Sequence, residues 1–184
     1  MTEDDIKGFE RELQLVAKAI AGLGGEVSPI KVLPKAMRIE VEGIEDALGY
    51  PPPAAFRDVV ETFSREMAFS WQLELDLPPP LKDIFYGNCE WSLDAIPQLN
   101  RDKDGWVAEV FPNADDPYDA VWHDTFAFMS VPNGDYLAID LAPEAKGAVI
   151  SLSHDDGAGH GRRIAPDFSS FIMNWSRVGF AGPE

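Results

Sequence analysis

Residues 125–156, reading TFAFMSVPNGDYLAIDLAPEAKGAVISLSHDD, constrain the fold of this chain more than any other stretch. They hold three short β-like runs, at 125–131, 135–141 and 148–153. Phe126 and Phe128 alternate with Ala127 and Met129, while Tyr136, Ala138 and Asp140 oppose Leu137, Ile139 and Leu141. Runs this apolar on both sides predict strands covered on one face by helices and partly shielded on the other. Pro132-Asn133-Gly134 supplies the positive-φ positions that a tight hairpin needs, and Pro143 and Gly147 mark a second turn. The expectation is an antiparallel meander.

Helical periods flank it. Ile6, Phe9, Leu13, Val16, Ile20 and Leu23 recur at three- and four-residue steps, an amphipathic stripe that Gly24-Gly25 ends. Residues 28–34 read as a linker, and 38–42 (RIEVE) alternates as a short edge strand. A short helix is expected at 44–49, stopped by Pro51-Pro52-Pro53, and Phe56, Val59, Val60 and Phe63 space out the next. At 68–75 the period changes to two, with Phe69, Trp71, Leu73 and Leu75 on one face of a half-buried strand. The prolines at 76–80 close that strand, since they cannot donate to a ladder.

The 82–124 region gives weaker signals. A short strand at 87–91, a helix from Ser92 carrying Leu93 and Ile96, and a separate short helix at 105–111 ended by Pro112 are expected. Pro117 opens another helix before Tyr118, Val121 and Trp122. After the meander come a glycine-rich loop at 154–161 and a short strand at 162–164. A last helix then opens at Pro166, with Phe168, Phe171, Ile172, Trp175 and Val178 in one stripe. The pattern predicts one α+β domain, mainly antiparallel sheet, its C-terminal meander covered by helices.

The same residues carry a resemblance. An aromatic strand with Phe128, the turn to Gly134-Asp135, Asp140 on the next strand, Gly147 and Val149, then His154-Asp155-Asp156 and a helix with Phe168 and Phe171 resemble the SUKH superfamily. Upstream, Ile44 to Pro52 followed by Ala55-Phe56 is similar to that superfamily's helix, Leu-Pro break and second helix. The resemblance covers about residues 43–179. It leaves 1–42 as a helix and linker expected to join the same globule, and 180–184 as a tail. It implies an α+β fold and a role as a bacterial toxin-immunity protein or a regulator like the fungal cell-wall assembly regulators. It also implies that His154-Asp155-Asp156 lies in a surface loop without a metal.

Composition narrows the function classes. A chain of 184 residues suits one domain with a real core. Cys89 is the single cysteine, so no internal disulfide is expected. The acidic, amphipathic start is unlike a signal peptide, and no run reaches the length of a membrane span, so a cytoplasmic protein is expected. Net charge is −17, and twelve of those charges fall between residues 43 and 125. Such a field repels nucleic acid and anionic membranes and attracts a basic protein.

Catalytic signals are sparse. His154, Asp155, Asp156 and His160 are the one cluster of metal-ligand types, with His123-Asp124 elsewhere. They lack a partner cysteine and an H-E-x-x-H spacing, and a solvated loop accounts for them. Cys89 has no Lys or Arg beside it and reads as a buried thiol. There is no G-x-S-x-G elbow or phosphate loop, so no catalytic residue, metal or cofactor is expected. The expected function is a non-enzymatic binding module, an immunity protein for a basic, nuclease-type toxin domain. A regulatory scaffold and an enzyme using His154, Asp155 and Asp156 are the alternatives. The candidate contact acids are Asp102, Asp104, Asp115, Asp116, Asp119, Asp124, Asp155 and Asp156. Trp91, Trp106 and Trp122 lie in irregular, acidic surroundings, and Trp91 and Trp122 are the candidate anchors.

Overall fold

An aromatic and aliphatic strand set buried on both faces must be sandwiched, and the rest of the chain is arranged to do this. The computed structural model describes residues 1–75, 84–155 and 159–182. The chain runs α1 (Glu3–Gly22), β1 (Glu26–Val27), β2 (Lys31–Val32), α2 (Arg38–Leu48), α3 (Ala54–Thr62), β3 (Glu66–Gln72) and β4 (Tyr86–Ser92). It continues through α4 (Ile96–Glu109), α5 (Ala120–His123), β5 (Thr125–Ser130), β6 (Tyr136–Asp140), β7 (Val149–Leu152), β8 (Arg163–Ala165) and α6 (Phe168–Trp175). This is the α+β architecture expected, with the meander ordered β5-β6-β7-β8 and antiparallel throughout.

The β5–β6 turn explains its own sequence. Gly134 sits at φ 99°, where a Cβ would be strained, and its N–H donates to the Val131 carbonyl at 2.9 Å. Asn133 closes the turn from the side, its Oδ1 accepting from the Asp135 N–H at 3.0 Å. A second sheet places β3 between β4 and the short collinear pieces β1 and β2. Met67, Phe69 and Trp71 of β3 point inward with Cys89 and Trp91 of β4, while Ser70, Gln72 and Glu90 face out.

Two cores result. The larger joins the inner face of β3–β4, Phe9 and Leu13 of α1, Phe56, Val59 and Val60 of α3, and Phe168, Phe171 and Ile172 of α6 to one face of the meander. Phe168 is its hub, with ring centroids 4.6 Å from Phe128, 5.5 Å from Phe56 and 5.8 Å from Trp91. The smaller covers the other face of the meander, where Phe111 and Trp122 lie against Ala127, Tyr136, Ala138, Ile150 and Leu152.

Several expectations change. The 38–42 segment is the first turn and a half of α2, not a strand, because Val41 and Ile44 bury together while Ile39 is 68% exposed. Glu40 reaches back to accept from the Met37 N–H at 2.7 Å, which fixes the helix start. Residues 28–34 are more than a linker, since Lys31 and Val32 pair with Ala68 and Met67. The separate helix at 105–111 is the end of the continuous α4. The last helix begins at Phe168 with Asp167 as its cap, accepting from the Ser170 N–H at 2.7 Å, and Val178 ends up exposed in a 3-10 turn. The strand closure expected at 76–80 lies outside the described residues.

Candidate partner-binding surface

The layer over the outer face of the meander is built by α4, α5 and the segment joining them. Helix α4 also seals the open edge of β5. Asn100 pairs twice with Ala127, its Oδ1 accepting from the N–H at 3.0 Å and its Nδ2 donating to the carbonyl at 2.9 Å. Three residues on, Lys103 donates to the Thr125 carbonyl at 3.0 Å while only 3% exposed, and Asp104 balances its charge at 2.7 Å. An edge strand with unpaired backbone invites aggregation, and these two side chains satisfy it.

The helix stacks its aromatic residue on this layer. Trp106 lies 6.3 Å from Phe111, 6.5 Å from Trp122 and 5.7 Å from the His154 ring, centroid to centroid. Phe111 and Trp122 stack at 4.6 Å, and Tyr118 and His160 at 3.9 Å. The expected anchors therefore need correction. Trp91 and Trp122 are 2% and 0% exposed core residues, packed too deeply to meet a partner. Trp106, half-buried on the solvent side of the smaller core, is the tryptophan of the three that a partner can reach.

The acids divide by what they already do. Asp102, Asp104, Asp115, Asp116, Asp124 and Asp155 are exposed and Asp119 is half-buried; Asp156 lies outside the described residues. Asp116 accepts from the Tyr118 N–H at 2.8 Å and Asp119 accepts from the Asn113 N–H at 3.0 Å, so both hold the 113–119 turn. Asp155 accepts from Ser153 Oγ at 2.8 Å, and Tyr118 Oη donates to its carbonyl and to that of Ser153. The 153–155 segment is thereby tied to the same layer. Asp102, which accepts from Gln98 Nε2 at 2.6 Å, lies near enough to Tyr136 to act on it. Burial, with the Asp102 charge adding to it, holds the Tyr136 phenol above its ordinary value.

The histidines serve the frame. His154 Nδ1 lies 2.7 Å from Asp135 Oδ1, and the His154 backbone N–H donates to the same oxygen at 2.9 Å. Burial pushes the Asp135 carboxyl upward, but the His154 backbone and ring and the Asn133 amide outweigh it and leave its pKa below the ordinary value. The contact pins the tip of the β5–β6 hairpin to the end of β7. His160 Nδ1 accepts from the Ser153 N–H at 3.1 Å, leaving Nε2 as the donor to the Tyr118 carbonyl at 2.9 Å. Cys89 is fully buried, and burial pushes its thiol far above the usual range. Sequence patterns placed Asp135 in the hairpin turn but did not point to its pairing with His154, 19 residues away.

Helix α4 presents a further feature. The i, i+4 rows Arg101-Gly105-Glu109 and Asp102-Trp106-Val110 line an open groove of about 440 Å³ on its outer side. Gly105 in a helix interior costs about 1 kcal/mol relative to alanine, and no packing demands it. A Cβ there would meet no heavy atom within 4 Å.

The two sheets, the covered meander and the helical outer layer define a single α+β domain whose outer layer is rich in exposed acids. A family model described as SMI1 / KNR4 family (SUKH-1) matches residues 36–174, and the chain belongs to that family. The match begins and ends a few residues before the span expected from sequence. No curated protein matches the chain. Among the described residues, no helix is long and apolar enough to cross a membrane.

Proposed function

We propose that this SUKH-1 domain is a non-enzymatic binding module, an immunity-type protein that neutralises a basic, nuclease-type toxin domain. One observation carries the proposal: exposed Asp102, Asp104, Asp115, Asp116 and Asp124 share one layer whose cations are few. Between residues 96 and 124 the only Lys and Arg are Arg101 and Lys103, and Lys103 is buried and spent on Thr125 and Asp104. A nuclease must present a cationic cleft to a polyphosphate, and an acidic surface can occupy that cleft in place of nucleic acid. The ring nitrogens of His160 and Nδ1 of His154 are held by internal contacts, which favours a structural role over catalysis for the His154–Asp155 segment.

The test is co-expression with a toxin domain encoded beside this reading frame in its source. The proposal expects a basic domain that is lethal alone, harmless with this protein, and recovered with it as a stable complex. A scaffold of the cell-wall-regulator type, the other role found in the resembling family, would show a non-toxic partner and no rescue.

A further inference from the structure

Beyond its general acidity, α4 carries a shaped notch. In the groove, the Arg101-Gly105-Glu109 row has a gap at its centre where Gly105 has no side chain. The neighbouring row sets Trp106 beside that gap, with Val110, 48% exposed, one turn on. Asp102 and Glu109 stand at the two ends, seven residues apart, or about 10 Å along a helix rising 1.5 Å per residue. Among the described residues neither carboxylate is in an ion pair. Arg101, also on the rim, donates to Gln98 Oε1 at 2.8 Å, and the other end of that amide donates to Asp102.

We propose that the notch at Gly105 receives an arginine side chain from a protein partner. The hole admits a side chain between helical rows, as ridges fit grooves when helices pack. The aliphatic stem would lie on Val110 and the guanidinium over Trp106, where the ring face attracts a cation. The two carboxylates, Asp102 keeping acceptor capacity beside its bond from Gln98, offer it hydrogen-bond acceptors, which a planar, weakly hydrated guanidinium uses better than an ammonium does. A side chain much longer than a methyl group at position 105 would fill the hole. The inference rests on a basic protein partner and names the group that partner presents.

The probe is Nα-acetyl-arginine amide, titrated against ¹⁵N-labelled protein and followed by NMR. Saturable shifts are expected at the Trp106 indole N–H and at the Gly105 and Glu109 amides, with a weaker response to Nα-acetyl-lysine amide. Gly105→Gln should abolish them while the remaining spectrum stays that of the folded protein, and Asp102→Asn with Glu109→Gln should do the same. Gly105→Ala, whose methyl group has free space, controls for helix effects and should still respond. Shifts that do not saturate, spread equally over Asp115 and Asp116, or survive in Gly105→Gln would overturn the notch. Those results would leave the basic-partner proposal standing on co-expression alone, whereas arginine capture without toxin rescue would sink that proposal and keep the notch.

Discussion

Lys103 shows most plainly how one side chain is held by what surrounds it. An ammonium this buried is held chiefly by the hydrogen bond it donates to the Thr125 carbonyl, with the largely exposed, solvated Asp104 beside it. Lys103→Met removes the donor and orphans a buried carbonyl, so it should cost roughly 1–3 kcal/mol in urea unfolding. Asp104 is 61% exposed, and Asp104→Asn should cost under about 1 kcal/mol, since an exposed partner is well solvated. Equal losses in the two variants would contradict this. Asp135 makes a different prediction. Its folded-state pKa is depressed, so its contribution is complete above the unfolded value near 3.9 and is lost as pH falls through the folded value. Urea midpoints of wild type should drop in that acid window by more than those of Asp135→Asn, which has no such proton to gain. Parallel pH profiles would show that the His154 contact does not stabilise the charged carboxylate.

Elements reveal where sequence patterns suffice and where they fail. The meander was legible because period-two apolar runs and Pro-Asn-Gly leave few alternatives, and β3 because Phe69 and Trp71 alternate with polar residues. RIEVE at 38–42 misled because five residues fit both periods; the deciding contacts, Val41 and Ile44 in the main core, span its boundary. Helix α4 was split because Gly105 looks like a stop, yet the helix runs through it. Trp91 and Trp122 were misplaced because acidic neighbours in sequence say nothing about the inward face of β4 or the floor of the smaller core. The final helix was foreseen, but its weight lies nearer its start. Trp175 is only half-buried, whereas Phe168 is fully enclosed. Phe168→Ala should therefore cost about 3–5 kcal/mol, and Trp175→Ala distinctly less. A larger loss for Trp175→Ala in denaturant unfolding would contradict the assignment of the hub.

For the molecule as a whole, a net charge of −17 is the dominant long-range feature, and its use depends on which acids are free to act. Asp116 and Asp119 hold a turn, so replacing them would mix local unfolding with lost attraction. Asp115 and Asp124 are exposed, and their carboxylates make no internal hydrogen bond among the described residues, which makes them the cleaner probes. Steering by such charges acts on the rate of encounter, and salt screens it over about 10 Å at 0.1 M. The most direct measurement is the association rate constant with the cognate basic domain, for wild type and for Asp115→Lys with Asp124→Lys, at low and high ionic strength. An acidic docking surface predicts fast, salt-sensitive association for wild type and a marked slowing for the variant at low salt, with the two rates converging at high salt. A rate indifferent to both salt and the substitutions would contradict it.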